Sequence, residues 1–255
     1  MQAGSGVPVL GDLRHSGCLK ALFPRGRTDR LGAVIVNTSG GITGGDRLRI
    51  EARAAPGSRL SLTSQAAERI YRAEAGEAGH VSTRLHVAEN ARLDWLPQET
   101  ILYDHAALDR HLRVDLEGSA RCLLLEALVF GRIAMGEELH HLDLSDRIEI
   151  WRDGALLFID RLRLRGDTAA RLERSAIGGG ARAMASVILA TSAAEAEAHL
   201  AALRPLLPDG AGVSLIRPGL LFLRLMAPDS YLLRRMLLPV LARLDDAPLP
   251  RTWML

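Results

Sequence analysis

Lysine is almost absent from this chain of 255 residues. Lys20 is the only one among 32 basic residues, so the others are all arginines, and 30 acidic residues leave a formal charge of only +2. The arginines alternate with acids and form no basic tail or stripe, while aromatic residues, which would stack on bases, make up 4% of the chain. We attribute the arginine excess to codon usage in a GC-rich genome and expect no nucleic-acid partner.

Cysteine and long apolar runs are scarce as well. Cys18 and Cys122 lie far apart and belong to no CxxC pair, which argues against a disulfide framework and against a cysteine-based zinc site. The longest apolar run, Leu123–Phe130, is too short to span a bilayer and is interrupted by Glu126. Residues 1–11 have neither the basic nor the apolar part of a secretory signal. These absences predict a cytoplasmic protein without membrane association.

Signatures of common catalytic and metal sites are also missing. The chain has no HExxH motif, no GxSxG elbow and no Cys/His group with zinc spacing. In the adjacent pair His140–His141 the two rings would point to opposite faces of a strand, and Asp104–His105 offers only two neighbouring ligands. We interpret these histidines as solvated loop residues. The inventory alone supports no enzyme class.

The chain is rich in short runs that alternate apolar and polar residues. In His111–Leu116, the side chains of Leu112, Val114 and Leu116 share one face, and the charged residues between them share the other. The same period of two occurs in six further runs: Asp46–Arg53, Arg59–Thr63, His80–Val87, Ala91–Leu96, Asp143–Arg152 and Ala155–Leu164. Successive half-buried strands bounded by Gly, Pro, Asp or Asn predict a mainly β fold of stacked or elongated sheets.

Two segments in the C-terminal third have a helical pattern instead. Ser192 is followed three residues later by a glutamate, which is a capping box for a helix through about Leu203. A second helix is predicted over Leu232–Leu244, where apolar residues recur every four positions and where Pro239 is expected to kink the helix. The fold class is therefore mainly β with two α-helices in this third of the chain.

Between these two helices the sequence predicts a hairpin. Val213–Ile216 and Leu220–Met226 are strand-like and flank the turn residues Arg217–Gly219. No repeat period, low-complexity tract or linker is visible elsewhere. The simplest organisation is a single domain over residues 1–255.

A glycine-rich segment, Asn37–Asp46, is the most prominent local feature. Glycine loops cradle phosphates when a helix follows, but this one lies between two strand-like runs, Ala33–Val36 and Asp46–Ile50. Its spacing is neither GxGxxG nor that of a P-loop. We predict a wide turn whose glycines supply positive φ angles or admit a close backbone. The alternative is an unrecognised hydrolase or nucleotide-binding enzyme that uses the Gly40–Gly45 loop.

Glu126 interrupts an otherwise apolar strand, predicted over Arg121–Phe130. It shares a face with Leu124 and Leu128, where a carboxylate is costly unless it is paired or hydrated. Two interpretations remain open. One is a structural ion pair with an arginine such as Arg132, and the other is a carboxylate that lines a wet internal cavity or a partner surface.

Five blocks of sequence carry a resemblance to a known family. In chain order they are Asn37–Leu48, Thr63–Arg72, Leu96–Tyr103, Glu126–Glu137 and Leu249–Trp253. Their residues and order resemble the UreD (UreH) family of urease accessory proteins across most of the chain. Two departures stand out: family members often have Lys where Arg69 stands, and the segment around Gly178–Gly180 matches only loosely.

The resemblance implies a β-rich fold with two helices and a non-catalytic role in urease maturation. It implies binding to the urease apoprotein and recruitment of accessory proteins F and G, the latter a GTPase, so that Ni²⁺ reaches the urease active site. It also implies a hydrated route on which nickel is held only transiently, with no catalytic residue and no tightly bound cofactor.

Four carboxylates inside the matching blocks are candidate ligands for nickel in transit: Asp46, Glu99, Glu126 and Glu137. A transit route needs scattered ligands that hold the ion weakly, because a closed site would retain it. For each of the four, the alternative is a structural hydrogen bond or ion pair.

Overall fold

The computed structural model describes residues 9–25, 29–74, 76–245 and 247–254; the expectations for residues 1–8 lie outside these ranges. Within them the chain forms fifteen strands and three α-helices. The strands are β1 Leu19–Leu22, β2 Leu31–Asn37, β3 Arg47–Ala54, β4 Arg59–Ser64, β5 Glu68–Ile70, β6 Gly79–Val87, β7 Arg92–Leu96, β8 Thr100–Leu102, β9 Ala107–Leu116, β10 Arg121–Phe130, β11 Leu142–Arg152, β12 Ala155–Gly166, β13 Ala183–Ala190, β14 Ala211–Arg217 and β15 Leu220–Ala227. The helices are α1 Thr168–Glu173, α2 Ala193–Leu203 and α3 Ser230–Leu244.

Two sheets stack on each other, and the chain passes back and forth between them. The larger sheet has ten strands and the path order β1-β2-β4-β7-β10-β13-β15-β14, with β5 and β8 paired beside β10; the smaller has five, in the order β12-β11-β9-β6-β3. Between β2 and β11 the long strands alternate between the sheets, while the short strands β5 and β8 stay in the larger one. As a result β2, β4, β7 and β10 run parallel in one sheet, and β3, β6, β9 and β11 run parallel in the other. The mainly β prediction is confirmed, and all seven alternating runs fall on strands.

Strand β10 is buried on both faces and separates two parts of the core. Leu124 packs in the core between the two sheets, whereas Leu123 and Leu125 pack with Leu237 of α3 on the other side. The face assignment predicted from the sequence is therefore confirmed. Each fully buried leucine contributes about 1.5–3 kcal/mol of hydrophobic free energy. A buried ionised residue on the same strand costs free energy unless it is paired and hydrogen-bonded.

Both predicted helices form. At the start of α2 the Ser192 hydroxyl accepts a hydrogen bond from the Glu195 backbone N–H at 3.3 Å, as the capping box requires. Pro239 lies inside α3, which continues to its end at Leu244. The third helix, α1, was not predicted; it has only six residues, and Asp167 caps it. None of these helices, in the part of the chain described, combines the length and apolarity needed to cross a bilayer.

The glycine-rich segment is a wide turn between β2 and β3, as predicted, and no helix follows it. Gly40 and Gly45 have φ angles of +80° and +82°, which favour glycine. At Gly41 an added Cβ would lie 2.8 Å from the backbone oxygen of Arg69 and would overlap the ring of Tyr71. The turn therefore needs glycine at Gly41 for close approach to β5.

We expect Gly41→Ala to lower the free energy of unfolding by about 1–3 kcal/mol, because overpacking against a backbone oxygen forces the turn to move. Gly32→Ala is the matched control, since a Cβ at Gly32 in β2 meets nothing within 4 Å. Denaturant unfolding of both variants measures the difference. Equal midpoints for the two variants would contradict the close approach.

Candidate functional site

A cavity of about 340 Å³ lies between the two sheets. Apolar residues form just over half of its lining, and ten polar side chains also line it: Asn37, Ser64, Gln65, Glu68, Arg69, Thr83, Gln98, Thr100, Arg110 and Glu126. At one end the lining residues Gly40, Gln65 and Arg69 are exposed, so this end meets solvent. The volume holds several water molecules, and the polar groups give them hydrogen-bond partners.

Arg110 bridges the two sheets inside this cavity. Its Nη1 lies 2.6 Å from Oε2 of Glu126 in the larger sheet. Its Nε and Nη2 donate to the two carboxylate oxygens of Asp146 at 2.9 and 2.6 Å. Asp146 faces Arg110 because the parallel register of β9 and β11 places these residues opposite each other. The indole N–H of Trp95 donates to the other oxygen of Glu126 at 2.8 Å.

Glu126 does form an ion pair with an arginine, but not with Arg132, the example named from the sequence. Arg132 lies beyond the end of β10, where its guanidinium binds Glu137. Glu126 instead pairs with Arg110, which comes from the facing sheet. Both earlier interpretations of Glu126 are partly correct, because its carboxylate is ion-paired and also lines the internal cavity.

Burial dominates the electrostatics of Glu126. It raises the pKa of the Glu126 carboxyl, and the charge of Arg110 only partly opposes this rise. Burial works against the charge of Arg110, but the carboxylates of Asp146 and Glu126 outweigh it and hold the pKa of Arg110 above its usual value. When both carboxylates are ionised, this cluster of one guanidinium and two carboxylates has an excess negative charge.

A second, much smaller cavity of about 10 Å³ lies on the other side of Glu126. It has room for about one water molecule. Its polar lining comprises Asp146, Asp160, Ser186 and Arg224 in addition to Glu126, and Asp160 and Arg224 form an ion pair. Polar side chains therefore continue past Glu126 towards Asp160 and Arg224, which are half-buried.

Glu68 lies on β5 and lines the large cavity, where the charge of the adjacent Arg69 acts on its carboxylate without an ion pair between them. Its two carboxylate oxygens accept hydrogen bonds from Nδ2 of Asn37, both at 3.2 Å, and one also accepts from the Arg69 backbone N–H at 3.3 Å. Among the ion pairs of the residues described, none involves Glu68. Burial raises the pKa of Glu68, so the ionised carboxylate lowers stability where it stands. A residue kept at such a cost is a candidate for function.

Of the four carboxylates predicted from the sequence, only Glu126 lines the cavity. Asp46 accepts a hydrogen bond from the Thr43 backbone N–H at 2.9 Å within the glycine-rich turn. Glu99 is buried and lies 3.3 Å from the guanidinium of Arg234 on α3. Asp46 thus makes a structural hydrogen bond and Glu99 a structural ion pair. These are the contacts that were predicted as the alternative to nickel binding.

Glu137 lies in the loop between β10 and β11. Its carboxylate binds the guanidinium of Arg132 at 3.0 Å and accepts from the Asp104 backbone N–H at 3.2 Å. The hydrogen bonds from Arg132 lower the pKa of Glu137. Both carboxylate oxygens are thus engaged in holding the loop together.

Sequence reasoning missed Arg110 and Asp146, although a signal for both was present. Arg110 shares the inward face of β9 with Leu112, and Asp146 shares that of β11 with Leu144 and Ile148. A charged residue on an otherwise apolar face was the same signal that identified Glu126. Glu68 lay in a matching block, but β5 has only three residues and gives no such pattern.

Comparisons with known proteins agree over the whole chain. A family model described as "UreD urease accessory protein" matches residues 1–254. The chain is similar to the urease accessory protein UreD of Roseobacter denitrificans, with 49% identity over 100% of this chain and 91% of that protein. The corresponding protein of Ruegeria pomeroyi is 51% identical over 96% of this chain and 95% of its own length. That of Brucella suis is 42% identical over 99% and 91%.

Proposed function

The chain belongs to the UreD family of urease accessory proteins, and from that premise we propose that it is a non-catalytic assembly protein for urease. In this proposal it works in the cytoplasm and binds the urease apoprotein. Together with accessory protein F and the accessory GTPase G, it delivers Ni²⁺ to the urease active site. The nickel is cargo, held briefly and passed on.

The observation that carries the proposal of nickel passage is the Glu68 carboxylate, which lines the cavity between the sheets and forms no ion pair with any of the residues described. Oxygen and nitrogen ligands suit a partly hydrated Ni²⁺, and Asn37, Gln98 and Thr100 add further oxygens to the lining. Such scattered ligands bind more weakly than a closed site does. An ion that enters from the exposed end can therefore leave again.

The charge cluster of Arg110, Glu126 and Asp146 also supports passage of a cation through the interior. Glu126 and Asp146 carry two negative charges against the single positive charge of Arg110 when both carboxylates are ionised. In a low-dielectric interior this excess favours a divalent cation. Because Arg110 competes for both carboxylates, it limits how tightly they hold the ion.

A thiol-based reaction has no support at the most buried cysteine. Cys122 is fully buried in β10, and burial raises the pKa of its thiol to about 12. The reactive form of cysteine is the thiolate, which is negligible near neutral pH at such a pKa. This agrees with the proposal that the chain works by binding.

Expression of the urease gene cluster with and without this chain tests the proposal. We expect the chain to co-purify with urease subunits, and we expect its deletion to leave apo-urease with little urea hydrolysis. Urease activity per subunit and nickel content are the readouts. Full activation without the chain, or turnover of a hydrolase or nucleotide substrate by the isolated chain, would instead support the enzyme alternative.

A further inference from the structure

Two loops at one edge of the smaller sheet bring an aspartate and two histidines together. Asp104 and His105 form the turn before β9, and His141 comes directly before β11. Strands β9 and β11 are parallel neighbours, and Ala107 pairs with Asp143 at their start. Residues that precede the two strands therefore meet at the same edge of the sheet.

The three side chains are arranged closely enough to share one ion. One ligand atom from each of Asp104, His105 and His141 can be chosen so that all three lie within 4.8 Å of one another. The two imidazole rings stack with their centroids 4.4 Å apart and their planes 13° from parallel. Oδ2 of Asp104 lies 3.5 Å from Nε2 of His105.

Backbone hydrogen bonds hold the two loops in this arrangement. The N–H of His105 donates to the backbone oxygen of His141 at 2.7 Å. The N–H of His141 donates to Oδ1 of Asp104 at 2.8 Å, which leaves Oδ2 on the side of the rings. Glu137 accepts from the backbone N–H of Asp104 at 3.2 Å and so fixes the start of the turn.

The sequence predicted that the rings of His140 and His141 would point to opposite faces of a strand, but both residues lie in the loop before β11. The His140 ring lies 3.5 Å from Glu138 and 3.7 Å from Asp167, away from the stack that His141 forms with His105. What the sequence could not indicate is the partner of His141. Asp104–His105 looked like two isolated ligands, and the third comes from a different loop.

We propose that Asp104, His105 and His141 form a binding site for one late first-row divalent cation, such as Ni²⁺ or Zn²⁺. Two imidazole nitrogens and one carboxylate oxygen suit such ions, whereas Mg²⁺ prefers oxygen ligands alone. Side-chain exposures of 24% for Asp104 and 37% for His105 leave room for water at the remaining coordination positions. Three protein ligands with open positions are typical of an exchangeable ion rather than a structural one.

Only a small adjustment separates the present arrangement from coordination. Ligand atoms about 2.0–2.1 Å from a shared ion lie at most about 4.2 Å from one another. The three ligand atoms lie within 4.8 Å of one another, so rotation of the partly exposed side chains is enough to bring them to that distance. None of the three residues lines the cavity between the sheets, so this site is separate from the proposed nickel route and does not depend on it.

Direct titration of the full-length chain tests the site. Isothermal calorimetry with NiCl₂, ZnCl₂ and MgCl₂ separately is expected to show one ion bound per chain at this site for Ni²⁺ or Zn²⁺ and none for Mg²⁺. His141→Gln and His105→Asn are each expected to weaken that binding by about tenfold or more, because each removes a ligand. Asn suits the φ angle of +63° at His105, so the turn is retained. X-ray absorption of the bound ion is expected to report two imidazole ligands in the unaltered chain and one in His141→Gln or in His105→Asn.

His140→Gln is the matched control, because it removes a neighbouring imidazole that faces Asp167 and Glu138 instead of the proposed site. Binding is expected to be unchanged in this control. Equal affinity in the unaltered chain and in His141→Gln, or equal loss in His141→Gln and His140→Gln, would overturn the proposal. The titration contains no urease, so its outcome is independent of whether the chain delivers nickel to urease.

Discussion

Replacing Glu68 by Gln is expected to lower urease activation by about tenfold at limiting nickel, because the neutral amide removes the negative charge that attracts the divalent cation. Glu68 is the cavity carboxylate that forms no ion pair within the described part of the chain, so its charge is available to attract Ni²⁺. Gln keeps the shape and still accepts a hydrogen bond from Asn37. Urea hydrolysis per urease subunit, measured against nickel concentration in the medium, is the readout. Excess nickel is expected to restore part of the activity.

The stability of the same variant distinguishes this explanation from misfolding. Burial raises the pKa of Glu68, so near neutral pH the ionised carboxylate opposes folding, and Gln is expected to leave the free energy of unfolding unchanged or higher. Glu99→Gln is the matched control, because Glu99 is buried outside the cavity against Arg234. Its urease activation is expected to be normal. Normal activation in Glu68→Gln would remove this carboxylate from the route.

Replacing Arg110 by Leu is expected to cost about 3–5 kcal/mol in the free energy of unfolding near neutral pH, because removal of one partner leaves buried charges uncompensated. Arg110 binds Glu126 and Asp146 at 2.6 Å each, and all three side chains are buried. Arg113→Leu is the control on the same strand. Arg113 pairs with Asp115 at a partly exposed position, where a loss of less than about 1 kcal/mol is expected.

The pH dependence of Arg110→Leu gives a second readout. Burial already raises the pKa of Glu126, and loss of the guanidinium removes the charge that opposed this rise. The folded variant then binds more protons than the unfolded chain, so its stability rises as the pH falls through the raised pKa. Denaturant unfolding at about pH 7 and about pH 5 is expected to show a smaller deficit at the lower pH. A deficit independent of pH would mean that lost packing, rather than unpaired charge, causes it.

The sequence predicted the strands well because their patterns are local. Asp143–Arg152 corresponds to β11 almost residue for residue, and the predicted run His111–Leu116 is the second half of β9. Alternation cannot show whether neighbouring strands are parallel, or that successive strands belong to different sheets. Those properties depend on pairings between distant segments. Helix α1 was missed because six residues are too few to establish a helical period.

The candidate site was predictable only where one residue broke a local pattern. Glu126 was identified because it interrupts an apolar face, but the sequence could name an arginine partner only by example, as Arg132. The true partner, Arg110, depends on how the two sheets stack. The approach of Asn37 to Glu68 likewise depends on a turn packing against another strand. Such pairings arise from tertiary structure, which one sequence does not encode in any local pattern.

Nickel per urease active site, measured by plasma mass spectrometry on urease purified from cells that carry Val81→Trp or Ser82→Trp, tests most directly whether the ion crosses the interior. Val81 lines the cavity, whereas its neighbour Ser82 is exposed on the other face of β6, so the same bulk is added inside or outside. Co-purification with urease verifies assembly of both variants. We expect low nickel content with Val81→Trp and normal content with Ser82→Trp. Normal loading with a well-assembled Val81→Trp chain would contradict passage of nickel through the cavity.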